Sequence, residues 1–189
     1  MLLYIDACVR KDSRTRRLAE CLLKTLDRPY EEVKLIDCDF PKADEAFITE
    51  RSRLVDEGSF DDPMFGYARQ FAQADEIVIA APYWDLSFPT ILKAYLEQIN
   101  VTDITFRYTP EGVPEGLCKA QKLYYVTTAG GEFFPEEYGF GYVKALAENF
   151  YGIPQVELIK AKRLDLEGEP IEEIMTECEQ DIVRRYKAE

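Results

Sequence analysis

The sequence predicts an α/β domain built on a doubly wound, five-stranded parallel sheet with helices on both faces. Short apolar runs of strand type alternate along the chain with longer amphipathic helical patterns, as in parallel sheets joined by crossover helices. The run EIVIAA at 76–81 is an unbroken, largely β-branched stretch, which is typical of a strand covered on both faces. The length of 189 residues suits a single domain over 1–189.

Five segments have the composition and length of strands. Leu2–Asp6 is a short apolar run, and Glu32–Asp37 alternates apolar and polar side chains, as a strand near a sheet edge would. Glu76–Ala81, Lys122–Thr127 and Gln155–Ala161 complete the set. The order 2-1-3-4-5 fits five such strands, although periodicity alone does not determine it.

The helical patterns fall between these strands. Residues 13–27 begin at a good N-cap, Ser13, and carry leucines at helical spacing. Less periodic residues at 41–74 predict one or two helices around a break at Gly58–Pro63. The remaining helices are predicted at 89–99, Gly139–Tyr151 and 170–186.

Composition excludes several classes of function. The formal net charge of −13 gives a surface that repels nucleic acid and anionic membranes, although the acidity also serves solubility. Histidine is absent, so His-based triads and His-containing zinc sites are excluded, and we expect no metal site. Without a membrane-spanning run or a secretory leader, the five scattered cysteines predict reduced thiols in a cytoplasmic protein.

In open parallel sheets, ligands bind beyond the carboxyl ends of the strands, where the strand order reverses. Three loops of unusual composition lie there: Ala7–Thr15, Pro82–Pro89 and Thr127–Glu132. The first brings hydroxyl groups and an arginine to a helix N-terminus, which suits a phosphate but also fits an ordinary capped helix with surface arginines. No G-x-G-x-x-G follows the first strand and no P-loop motif occurs, so a dinucleotide of the usual kind and a P-loop nucleotide are excluded.

The second loop, APYWDLSFP, brings the only tryptophan and a tyrosine next to the most buried strand. Such side chains suit a planar amphipathic ligand, although a core aromatic cluster gives the same pattern. The third loop, TTAGGE, offers a threonine and two glycines that let a ligand approach the backbone, although most Gly-Gly pairs mark only a turn.

Residues 76–99, EIVIAAPYWDLSFPTILKAYLEQI, resemble the strand, P-x-[YW]-N-F loop and helix of the flavodoxin-like NAD(P)H:quinone reductase and FMN-dependent NADH-azoreductase family. Residues 105–131 are similar to the family's T-F-x-Y-x-x-x-G-P-x-G-L segment and Gly-Gly loop, and NFYGI at 149–153 resembles its F-x-G-I signature. This resemblance covers nearly the whole chain. It implies a flavodoxin-like fold, bound FMN, and hydride transfer from NAD(P)H through the flavin to a quinone, azo compound or similar small acceptor.

The resemblance also implies positions for the cofactor, which carries the chemistry, so that no catalytic acid or base is assigned. The phosphate would be held by Ser13, Arg14 and Thr15. The isoalloxazine edge would lie against Pro82, Tyr83, Trp84, Asp85 and Leu86, and the pyrimidine end against Thr128, Ala129, Gly130 and Gly131.

Two positions depart from the family pattern. Asp85 stands where the family commonly has Asn, and an ionised carboxylate turned toward the flavin would disfavour the negative charge of the reduced ring. Ala7 stands where some members have a hydroxyl on the phosphate side. These departures leave a flavin-free binding domain on the same fold as an alternative. A small electron carrier on the same fold is a second alternative, because an acidic surface suits a carrier.

The resemblance finally implies a homodimer with the flavins near the interface. The aromatic stretches Phe133-Phe134 and Tyr138–Tyr142 are candidates for that wall, and a core role is an equal alternative.

Overall fold

The central sheet of the protein, seen in a computed structural model that describes residues 1–187, is five-stranded and parallel. In chain order the strands are β1 (Leu2–Asp6), β2 (Tyr30–Lys34), β3 (Glu76–Ala80), β4 (Phe106–Tyr108), β5 (Pro114–Gly116), β6 (Lys122–Thr128) and β7 (Gln155–Ala161). The helices are α1 (Arg14–Leu26), α2 (Glu45–Asp56), α3 (Gly66–Gln73), α4 (Thr90–Ile99), α5 (Phe140–Leu146) and α6 (Ile171–Tyr186).

The sheet has the order β2-β1-β3-β6-β7, with all neighbours parallel. Numbered among themselves along the chain, these five strands give the order 2-1-3-4-5. The predicted fold class and strand order are therefore confirmed. In this order β1 and β3 flank the point where the winding reverses, and the loops after their carboxyl ends meet there.

Alternate side chains of the central strands pack on opposite faces of the sheet. On β1, Leu3 and Ile5 lie in a core cluster with α3, α4 and α5, whereas Leu2 and Tyr4 lie in a second cluster with α1 and α6. Both faces are thus covered, which accounts for the continuous apolar character of β3.

Two predicted boundaries differ from the structure. The strand predicted at Glu32–Asp37 is found at Tyr30–Lys34, because its partner β1 ends at Asp6, opposite Lys34. The next residues, Leu35–Asp37, form a 3₁₀ turn that buries Leu35. The helix predicted at Gly139–Tyr151 is α-helical only over Phe140–Leu146 and continues as a π-helical turn over Ala147–Tyr151.

A short antiparallel hairpin was not predicted. Strands β4 and β5 pair within the segment 101–121, where no strand was predicted, because runs of three residues are too short to show periodicity. Gly116 of β5 lies against the π-helical turn, close to the backbone of Tyr151 and Gly152. Among residues 1–187, no helix is long and apolar enough to cross a membrane.

Candidate functional site

A cavity of about 180 Å³ opens at the carboxyl ends of the central strands. The three loops singled out from the sequence all contribute to it, and so does the loop that follows β7. Its lining residues are Arg10, Asp12, Ser13, Arg14, Thr15, Pro82, Tyr83, Trp84, Thr128, Ala129, Gly130, Leu164 and Asp165.

A buried ion pair shapes the loop between β1 and α1. The Arg16 Nε donates to Asp6 Oδ2 at 2.7 Å, and the Asp6 side chain is fully buried. The other Arg16 nitrogens donate to the carbonyl oxygens of Cys8 (2.6 Å), Arg10 (2.7 Å) and Lys11 (3.0 Å). One guanidinium therefore holds the end of β1 and most of the loop in place, and the sequence did not single out this role.

The N-terminus of α1 presents unused donors to the cavity. Ser13 caps the helix by accepting from the Arg16 N–H at 3.3 Å. In the described chain, 1–187, the N–H groups of Arg14 and Thr15 have no acceptor. These free donors and the positive end of the helix dipole suit an anion.

Trp84 begins a two-residue turn at the cavity mouth. Trp84 and Ser87 exchange both backbone hydrogen bonds, at 3.1 and 2.7 Å. The central residues Asp85 and Leu86 have positive φ angles of 50° and 66°. Asp and Asn tolerate this left-handed conformation better than most residues, whereas leucine rarely adopts it. Both side chains are exposed and do not line the cavity.

The loops after β6 and β7 run side by side. Leu164 donates to Ala129 O at 3.3 Å, and Asp165 donates to Gly130 O at 2.9 Å. The Asp165 carboxylate lies directly over Gly130, where a Cβ would overlap it. Gly130 is therefore needed for this contact between loops, whereas a Cβ on the neighbouring Gly131 would make only an ordinary contact of 3.9 Å with Phe133 N.

A hydrogen bond and a side-chain ion pair tie these loops to α1. The Thr15 and Thr128 hydroxyls lie 2.6 Å apart. The Arg14 Nη1 donates to Leu164 O and to Asp165 Oδ1, each at 2.8 Å. Three segments that are distant in sequence are thereby fixed around one cavity.

The segment that follows the Gly-Gly pair forms an aromatic wall beside the cavity. The Tyr83 and Phe134 ring centroids are 4.3 Å apart, and the Tyr83 hydroxyl donates to Pro135 O at 3.4 Å. Lys160 of β7 lies 5.3 Å from the Phe134 centroid and pairs with Glu136. Cation–π and ionic contacts thus hold this wall against the end of the sheet.

Two titratable groups at or beside the site have raised pKa values, those of Cys8 and Tyr83. Burial raises the pKa of the Cys8 thiol far above its ordinary value, so this cysteine is not a thiolate near neutral pH. Burial, together with the charge of Glu137, also raises the pKa of Tyr83. Within residues 1–187, no cluster of acidic or cysteine side chains has the arrangement of a metal site.

The structure brings together most of the residues predicted from the sequence. Asp85, Leu86 and Gly131 stand beside the cavity without lining it, and the others of the predicted set line it. Four lining residues were missed: Arg10, Asp12, Leu164 and Asp165. The last two follow the carboxyl end of β7, so the strand-end rule that located the other loops would have located them too.

Comparisons with known proteins agree with this geometry. Residues 1–185 match the family model described as a flavodoxin-like fold. A relative from Coprothermobacter proteolyticus, named FMN-dependent NADH:quinone oxidoreductase, is 36% identical to this chain. The match covers 95% of this chain and 96% of the relative. A relative of the same name, numbered 2, from Clostridium acetobutylicum is 37% identical over 92% of each chain. The chain therefore belongs to the flavodoxin-like family that includes the FMN-dependent NADH:quinone oxidoreductases.

Solved structures show the same fold. An azoreductase from Bacillus anthracis superposes with a TM-score of 0.84 at 23% identity, with 98% of each chain covered. An FMN-dependent NADH-azoreductase from the same species, solved in complex with FMN, gives a TM-score of 0.78 at 21% identity, again with 98% of each chain covered.

Proposed function

We propose that this protein is an FMN-dependent NADH oxidoreductase that reduces a quinone, an azo compound or a similar small acceptor. One observation carries the proposal: the cavity at the carboxyl ends of the central strands is lined by the loops after β1, β3, β6 and β7, which bring the free donors of the α1 N-terminus and the Trp84 side chain to one site. When bound, FMN accepts a hydride from the nicotinamide and passes the electrons to the acceptor.

The residues at the phosphate end fit FMN. The free N–H groups of Arg14 and Thr15 supply donors for phosphate oxygens, and the Arg14 and Arg10 side chains supply positive charge at this place in a strongly acidic protein. Ser13 keeps its hydroxyl on the Arg16 N–H and orients the first turn of the helix.

The residues at the other end fit a planar ring. Pro82, Tyr83 and Trp84 present flat apolar surface to the cavity. The ring would lie near Thr128 and Ala129, with the backbone of Asp85 and Leu86 at its rim. The Asp85 side chain is exposed and does not line the cavity, so its carboxyl group would lie in water and not against the ring.

NADH is the proposed donor, following the names of the curated relatives. A second observation supports it. The three cations at the end of β7, Lys160, Lys162 and Arg163, are paired with Glu136, Glu132 and Glu169. Cations already paired in this way do not offer a ready site for the additional phosphate of NADPH.

A homodimer is proposed from the apolar rim of the cavity. Trp84, Leu86, Phe133 and Tyr138 are exposed, and they belong to two loops that contact each other. Adjacent exposed apolar side chains of this kind mark interaction surfaces. Light scattering after gel filtration should give about twice the chain mass of 21.8 kDa. We also propose a cytoplasmic location, where the five free cysteines would stay reduced.

The function is tested by the absorption spectrum of the purified protein before and after FMN is added. We expect flavin bands that NADH bleaches under anaerobic conditions and that a quinone then restores. Steady-state NADH oxidation with the acceptor separates an enzyme from an electron carrier, because a carrier alone would turn over very slowly. A protein that binds no FMN even in excess would contradict the proposal.

A further inference from the structure

Asp165 has no role assigned by the sequence or by the comparisons, yet it makes three contacts with two parts of the site. Its backbone N–H bonds to Gly130 O, its carboxylate covers the Gly130 Cα, and its Oδ1 accepts from Arg14 Nη1 at 2.8 Å. The ion pair joins residues 151 positions apart in sequence.

The contacts with Leu164 and Asp165 occupy one nitrogen of the Arg14 guanidinium and, within residues 1–187, leave the other two free. Both hydrogens of Nη1 are taken, one by Leu164 O and one by Asp165 Oδ1, each at 2.8 Å. In the described part of the chain, Nε and Nη2 have no acceptor. These two nitrogens form the side edge of the fork, which matches two oxygens of a phosphate in a bidentate contact.

The pair is too exposed to serve mainly as a stabilising contact. The side chains are 39% and 70% exposed for Arg14 and Asp165, and ion pairs this accessible to water add little to stability. A long arginine side chain loses rotamer freedom when it binds a ligand, and a side chain held in place beforehand avoids that loss.

We propose that Asp165 is a positioning residue that holds Arg14 with its Nε/Nη2 edge toward the phosphate of the cofactor. The inference rests on the proposed function, because it requires that FMN binds in this cavity. Water around Asp165 screens its own negative charge, so the gain from a fixed Arg14 exceeds the repulsion between the carboxylate and the phosphate.

The test compares FMN with riboflavin, which has the same ring and no phosphate. Quenching of Trp84, the only tryptophan, reports binding of both ligands without any turnover. For Asp165→Ala we expect the Kd for FMN to rise about three- to tenfold, the range that ordering one long side chain represents. The Kd for riboflavin should stay unchanged. Asp165→Asn keeps an acceptor for Nη1 and should restore most of the affinity for FMN.

Two further variants make the test specific. Glu172→Ala is a matched control, because it removes a carboxylate paired with Arg17, which lies one turn after Arg14 in α1. Neither Glu172 nor Arg17 lines the cavity. It should change neither Kd. In an Arg14→Ala background, Asp165→Ala should have no further effect on FMN, since the residue acts through Arg14.

Each contrary result has its own meaning. Equal losses for FMN and riboflavin would show that Asp165 only supports the loop, and tighter binding of FMN to Asp165→Ala would show that charge repulsion dominates. Either result overturns the positioning role and leaves the proposed function standing. Wild-type protein that binds neither ligand would overturn both.

Discussion

The Asp6 carboxylate lies fully buried at the end of β1 and accepts a hydrogen bond of 2.7 Å from the Arg16 Nε of α1. The same carboxylate accepts from the Cys8 N–H at 2.8 Å. That neutral donor does not balance the negative charge, so the buried carboxylate is paired only while Arg16 is present. The pair therefore fixes the start of α1 relative to the sheet, and with it the donors of the cavity.

Arg16→Met should destabilise the protein strongly. The substitution leaves a buried, unpaired carboxylate, and breaking a buried pair from one side costs about 3–5 kcal/mol. Urea denaturation measures the change. Arg17→Met is the control, since Arg17 pairs with the more exposed Glu172 and Glu179 and should cost at most about 1 kcal/mol per pair. Equal losses in the two variants would contradict the role of the buried pair.

Gly116→Ala should destabilise the hairpin. A Cβ at this position would overlap the backbone of Tyr151 and Gly152, and backbone cannot move aside as a side chain can. We expect a loss of about 1–3 kcal/mol in the free energy of unfolding, the usual cost of overpacking. Gly66→Ala is the matched control, because a Cβ there meets nothing within 4 Å and φ is not positive. It should be neutral or slightly stabilising.

Leu86→Gly should stabilise the protein. Leu86 has a φ of 66°, a conformation that costs an L-residue roughly 1–2 kcal/mol. Glycine removes this strain, but its greater conformational entropy in the unfolded chain cancels about half of the gain in stability. The net gain should be about 0.5–1 kcal/mol by thermal or urea denaturation. The Leu86 side chain does not line the cavity, so the Kd for FMN should change little.

Leu166→Gly is the control for that substitution. Leu166 is 41% exposed against 42% for Leu86, and its φ is not positive. The same change there should destabilise the protein. A stability gain at both positions, or at neither, would argue against backbone strain at Leu86.

Stability in acid should depend on Glu157. Burial would raise its pKa, but hydrogen bonds from Lys122 and the Tyr186 hydroxyl, together with the Arg185 charge, outweigh burial and lower the pKa below 4.5. The unfolded chain therefore binds the proton first as the pH falls. The stabilising contribution is present above about pH 4.5 and is lost as the pH falls through the lowered value.

Glu157→Gln should remove that contribution. The free energy of unfolding should fall below that of the wild type at pH 7, and the two curves should converge as the pH falls through the lowered pKa of Glu157. Urea denaturation across this pH range measures the difference. Glu167→Gln, an exposed carboxylate without an ion pair in residues 1–187, should follow the wild type at every pH.

The sequence was enough to predict the sheet and most of the cavity, because both depend on patterns several residues long. The unbroken run at β3 indicated a covered strand, and the strand-end rule located Ser13, Trp84 and Thr128. The hairpin was missed because its strands have three residues each.

Contacts between residues distant in sequence, and the backbone conformation of single loop residues, could not be predicted. The role of Asp165 depends on an arginine 151 positions away, and no local pattern shows such a contact. The direction of the Asp85 side chain depends on its left-handed backbone, which only the geometry of the turn determines.

The closure of the cavity by Leu164 and Asp165 has a consequence for the protein's synthesis. Arg14 leaves the ribosome long before the residues that hold its side chain, which come 150 positions later. The central strands β1 and β3 can pair while translation continues, but the ligand pocket is complete only after β7 and its loop have emerged. Ligand affinity therefore distinguishes full-length chains from nascent or truncated ones that have already folded in part.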